Sequence, residues 1–208
     1  MLDALLSSLE STLDDPFVRL DSLTFTEDGA VLMVSVMDSG EEYSWKRWRL
    51  EARGLRDYAL RDAYGDLYFE ESDHVLARCQ TDTRQQLMFR DRPRSIPETI
   101  GNLWTAHRRI AGRWIPLERF MNRPDRLEEL LALGYGQLAD GPTFLVEVYA
   151  EVLTSAGVTP SLLPKHSAKR WDGESFREVR GPLATLLIGD SYFVAESFEA
   201  SEMRAGFE

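Results

Sequence analysis

The densest grouping of chemistry-bearing side chains in the chain is WTAHRRIAGRW, where Trp104, His107, Arg108, Arg109, Arg113 and Trp114 fall within eleven residues. Guanidinium groups grip phosphate or carboxylate through paired hydrogen bonds, and an indole stacks on a nucleobase. Read for chemistry, the set is an anion or nucleotide pocket, with His107 as a general base whose pKa partial burial moves across the neutral range. A plainer reading competes. Arginines in the last turn of a helix offset the negative end of its dipole, and a histidine between Trp104 and Ile110 on an apolar stripe is a half-buried side chain bonded to backbone or carboxylate.

Other sites are thinner. His74 follows Glu70, Glu71 and Asp73, an oxygen-rich set, but alternating side-chain directions along a strand or turn keep the four from converging, so no metal site is assigned. His166 lies in a basic stretch and is expected at solvent. The one cysteine, Cys79, rules out an internal disulfide or a thiolate metal cluster; it is expected to be a buried, small apolar residue in a protein of a reducing compartment. GxSxG, a glycine-rich phosphate loop, HExxH, CxxC and an Asp-rich calcium loop are all missing from the sequence. The reaction classes with the clearest sequence traces drop out, no cofactor is implied, and the balance leans away from an enzyme.

Charge is unevenly spread. The net is −11, yet residues 1–42 hold ten acids and one base, whereas residues 84–126 hold ten arginines against four acids. A long-range negative field repels extended nucleic acid but leaves room for one anion on the arginine segment. It also steers a basic protein partner. Alternatively, the arginine segment pairs with the acidic N-terminal segment, inside the fold or across a homodimer.

The elements that would position these groups follow from periodicity. Leu2, Leu5, Leu6, Leu9 and Leu13 recur at helical spacing, and the N-terminus lacks the basic and continuous apolar regions of a secretory signal. VRLDSLTFT and AVLMVSVMD flank Asp28-Gly29, a two-residue hairpin signal of the I′ kind. A turn at Asp38-Ser39-Gly40 leads to a third strand, in which Trp48, Leu50 and Ala52 alternate with charge. LYFE (67–70), HVLAR (74–78) and QQLMFR (85–90) read as short strands. Ser95 and Glu98 form a capping box with Pro97 in the first turn, predicting a helix over 96–111 with Ile100, Leu103, Trp104, His107, Ile110 and Ala111 on its inner face. Leu127, Leu130, Leu131 and Leu138 predict a helix over 125–140, and PTFLVEVYAEVLTSAG a further helix, with Leu145, Val148, Tyr149 and Val152 inward and Gly157 as its stop. Residues 158–182 read as a surface loop. PLATLLI, Gly189-Asp190 and SYFVAESF form a hairpin with a glycine-first turn, compatible with joining the N-terminal sheet or forming a second one.

These readings combine into an α+β chain with a mainly antiparallel sheet in the N-terminal half, helices in residues 96–156 and a C-terminal β-hairpin, organised as a single domain over 1–208. The functional expectation is a non-catalytic, cytoplasmic, acidic interaction module, neutralising (immunity-like) or regulatory, with a basic protein as partner and no membrane, extended nucleic acid or metal. The alternative is a sensor or enzyme that binds a phosphorylated or nucleotide ligand at the Arg/Trp-rich helix end.

Overall fold

The computed structural model describes residues 2–10, 17–38, 44–71, 73–171, 173–179 and 181–203. In chain order the elements are α1 (Leu2–Glu10), β1 (Val18–Thr26), β2 (Gly29–Asp38), β3 (Ser44–Arg53), β4 (Asp57–Ala59), β5 (Tyr64–Gly65), β6 (Leu67–Glu71), α2 (Val75–Thr81) and β7 (Arg84–Arg90). Then come α3 (Ile96–Ala111), α4 (Leu127–Leu133), β8 (Tyr135–Pro142), α5 (Thr143–Ser155), β9 (Thr159–Leu162), β10 (Lys169–Trp171), β11 (Phe176–Glu178), β12 (Ala184–Ile188), β13 (Ser191–Ala195) and β14 (Ser197–Met203). The class is α+β with antiparallel sheets, and the chain gathers into two compact units, Met1–Ala77 with Gly181–Glu208, and Arg78–Arg180.

The first unit is built from two strand orders, β14-β3-β2-β1-β5 and β4-β13-β12-β6, every neighbouring pair antiparallel. They are one surface. β3 runs into β4 through Gly54–Arg56, β13 into β14 through Glu196, and β5 into β6 through Asp66. Backbone bonds continue around these corners: the Glu196 N–H donates to Arg53 O at 3.0 Å, Arg56 to Val194 O at 2.7 Å and Leu20 to Ala63 O at 2.7 Å. The six strand paths therefore close into an antiparallel barrel, which removes long free strand edges. Alternation fills its interior with Val18, Leu32, Val34, Val36, Trp48, Leu50, Leu186, Ile188, Phe193 and Phe198, joined by Leu2, Leu5 and Leu9 of α1. Each fully buried large apolar side chain contributes about 2 kcal/mol by its removal from water.

The first hairpin turn differs from its expectation. Thr26 pairs with Gly29, so the two-residue loop is Glu27-Asp28, one position earlier than predicted, and neither residue has the positive φ of a I′ turn. Gly29 is used for close approach instead. At its φ of +153° a Cβ would run into the Ala52 carbonyl of β3. The predicted turn at Ser39-Gly40, and Leu13, lie outside the described residues.

The second unit is inserted between β6 and β12, which are barrel neighbours with Glu71 opposite Ala184. The chain thus leaves and returns at adjacent positions, as inserted units commonly do. Its sheet, β8-β7-β9, is antiparallel, and Gln85, Leu87 and Phe89 alternate inward along β7. α3 and α5 pack on one another, and α5 also packs on β7 and β8.

Five further local readings are corrected in and around this unit. Residues 75–81 are helical, not a strand; the run VLARCQT has Leu, Ala, Arg and Gln, good helix formers, between its two β-branched ends. The 125–140 segment is α4 followed by β8: Gly134, at φ +79°, stops the helix, and Leu138 is buried from the strand. Residues 158–182 contain β9, an edge strand on β7, and the exposed β10–β11 hairpin. Ser95 occupies the N-cap position of α3 without a side-chain cap bond; its carbonyl accepts from the Thr99 hydroxyl at 2.7 Å. In α5, Val146 and Leu153 are buried with Leu145 and Tyr149, whereas Val148 and Val152 are only partly covered.

Candidate functional site

α3 ends where Gly112, at φ +57°, donates its N–H to Arg108 O, and the chain turns back so that the Ile115 carbonyl reaches His107. His107 is fully buried. Its Nε2 donates to Ile115 O at 2.8 Å, so Nδ1 carries no proton and accepts from the Tyr149 hydroxyl at 2.6 Å. Burial lowers the His107 pKa, opposed by the bond to Ile115, and raises that of Tyr149. Both ring nitrogens are occupied inside the core, so His107 is removed from the ligand-facing set: it ties α3 to α5.

Of the remaining predicted residues, Trp104, Arg108, Arg109 and Arg113 are exposed and Trp114 is half-buried, and their ring contacts form two separate groups. Trp104 is 54% exposed, against its expected place on the inner face. Arg108 follows it one helical turn on, with its guanidinium carbon 5.7 Å from a Trp104 ring centroid. Arg109 points about 100° away around the helix, in the row of exposed Thr105. Arg113 stacks over its neighbour Trp114 at 4.9 Å. The result is two separate cation–π pairs.

Four other arginines of the segment do structural work. Arg94 stands over Gly157 at the end of α5, and its N–H donates to Ala156 O at 3.2 Å; the stem of Arg92 packs over Gly134 at the end of α4. Each sits where the helix dipole is negative. Arg84 pairs with Asp140 at 3.5 Å, and Arg126 with Glu129 at 3.8 Å.

The groups most able to act as nucleophiles are sealed or occupied. Burial pushes the Cys79 thiol up to about 12, beyond useful thiolate formation at neutral pH. The Ser191 hydroxyl is buried and accepts from the Arg61 and Asp62 N–H groups at 2.9 and 3.0 Å while donating to Asp62 O, which pins the link between β4 and β5. His74 Nδ1 accepts from the Leu76 N–H at 3.3 Å. Among the described residues no three His, Cys, Asp or Glu are grouped to hold a metal ion.

A different surface emerges on the barrel. Tyr64 and Phe17 stack at 5.6 Å, Phe17 meets Trp45 edge-on at 6.3 Å, and Arg19 lies over Trp45 at 4.7 Å while its Nε pairs with Asp21 at 2.6 Å. These rings come from positions 17, 45 and 64, and no local spacing links them. Burial of Val18 inside the barrel, which turns Phe17 and Arg19 outward, is the only signal that sequence periodicity could have supplied.

Charge follows the same division. The barrel unit has twenty-two acids and eight bases, a net of −14, and the inserted unit thirteen acids and sixteen bases, a net of +3. No helix among the described residues is long and apolar enough to cross a membrane. Comparison with protein-family models, curated proteins and solved structures finds no match to the chain.

Proposed function

We propose that the chain is a non-catalytic binding protein whose acidic barrel docks a partner protein with a basic surface, as a neutralising or regulatory partner in the cytoplasm. The concentration of charge on one unit, −14 on the barrel against +3 on the insert, carries this reading. A field of that sign accelerates encounter with a cationic surface and discourages extended nucleic acid. Because the barrel is closed, recruitment by strand addition has no long edge to use, and recognition falls to outward side chains. Arg19, Arg49, Arg53 and Arg56 are each already paired with an acid of the same unit, so they do not offset the remaining acids. The single buried cysteine fits a reducing compartment.

The second reading, a phosphorylated or nucleotide ligand at Trp104 and Trp114, is favoured by the exposed Trp104 ring. It requires the Arg108 guanidinium to share or leave that ring.

Isolation of the tagged full chain at low salt, followed by reconstitution of the co-purifying protein from separately purified components, tests the choice. A complex with a basic protein that salt dissociates is the expected outcome. A small retained ligand with raised absorbance at 260 nm, lost in Trp104→Ala, would replace this reading with the second.

A further inference from the structure

The outer wall of the barrel carries an aromatic strip whose surroundings define a ligand chemistry. Tyr64, Phe17 and Trp45 are 54%, 38% and 42% exposed and in continuous ring contact. Aromatic rings of this kind offer large, stiff contact area at small entropic cost, the composition of interface hot spots. Two acids, Asp62 and Asp66, stand on either side of Tyr64 in sequence. Asp62 and Asp66 are themselves exposed.

The strip already contains one occupied example of the contact it offers. Arg19 lays its guanidinium over Trp45 and takes Asp21 as counter-ion. A planar guanidinium stacks on an aromatic face while bonding a carboxylate at its edge; an ammonium is a compact, strongly hydrated charge that does not stack.

We propose that the Tyr64–Phe17–Trp45 strip receives an arginine-bearing segment of a basic partner protein, with guanidinium groups seated on the Tyr64 and Phe17 rings and Asp62 and Asp66 as their counter-ions. This deepens the acidic-docking reading and rests on it.

Titration of the full chain at low salt with nona-arginine and with nona-lysine, by calorimetry, tests it. Both peptides bind in a salt-sensitive way, nona-arginine about tenfold tighter. Phe17→Ala with Tyr64→Ala, checked for an unchanged circular dichroism spectrum, brings nona-arginine down to the nona-lysine level. Tyr64→Leu, which keeps bulk and removes the π face, loses part of the same margin, and Trp104→Ala on the inserted unit changes nothing. Equal affinities for the two peptides, or an arginine preference that survives loss of both rings, overturns the strip as the site while leaving acidic docking intact. Absence of salt-sensitive binding by either peptide overturns both.

Discussion

The two units of this chain use charge in opposite ways. In the inserted unit, arginine finishes structure: Arg94 covers the end of α5, Arg92 packs over the end of α4, Arg108 and Arg109 sit in the last turn of α3, and Arg84 and Arg126 hold nearby acids. In the barrel unit the bases are few, several are already paired, acid is in excess, and the closed wall exposes aromatic rings. A cluster of one charge in sequence is therefore weak evidence of a site when helix ends are close by to use it. Charge left without a structural task says more about what the molecule meets.

The largest expected effect comes from removing the buried His107 of the insert. His107→Ala leaves the Tyr149 hydroxyl and the Ile115 carbonyl unpartnered and opens a cavity, a loss of about 4 kcal/mol in denaturant titration. Tyr149→Phe, which removes one hydrogen bond, costs about 1.5 kcal/mol. The buried imidazole also makes stability depend on pH. Its folded pKa lies below the ordinary 6.5, so the contribution is full above that value and declines as pH falls below it, where the unfolded chain takes up a proton more readily. His107→Gln abolishes its share of that decline, leaving the share of His74, whose pKa burial also lowers. A His107 variant with unchanged stability would put the residue back among candidates for ligand contact.

On the barrel side, Gly29→Ala forces a Cβ against the Ala52 carbonyl and costs about 3 kcal/mol, read as a lowered unfolding midpoint. Smaller still, Arg94→Ala costs about 1 kcal/mol through the end of α5 and leaves partner affinity untouched. If Arg94→Ala weakened partner binding more than stability, the assignment of arginine to structure and acid to docking would need reversing.

Much of the local structure is legible in the sequence. Ser95-Ile96-Pro97 and the apolar spacing to Ala111 mark α3; Gly157 marks the end of α5; Gly189-Asp190 between two apolar runs marks the β12–β13 hairpin. What is not legible is the long-range pairing. β13 meets β4 and β14 meets β3 because the chain bends at Gly54 and Glu196, and those partners are about 140 residues apart in sequence. The same limit governs the sites. WTAHRRIAGRW looks like a pocket because neighbours in sequence are counted together, whereas the helix sends His107 inward and Arg109 away from Trp104. The aromatic strip looks like nothing in sequence, because only the long-range pairing of β5, β1, β2 and β3 brings positions 17, 45 and 64 side by side.

The most direct test of the acidic barrel as the docking surface is the association rate with the purified partner as ionic strength is raised, for the native chain and for Glu27→Gln/Asp62→Asn/Asp66→Asn. A rate that falls steeply with salt for the native chain, and that starts lower and falls less for the neutralised barrel, is the predicted result. A rate indifferent to salt, or a neutralised barrel that associates as fast as the native one, would contradict it.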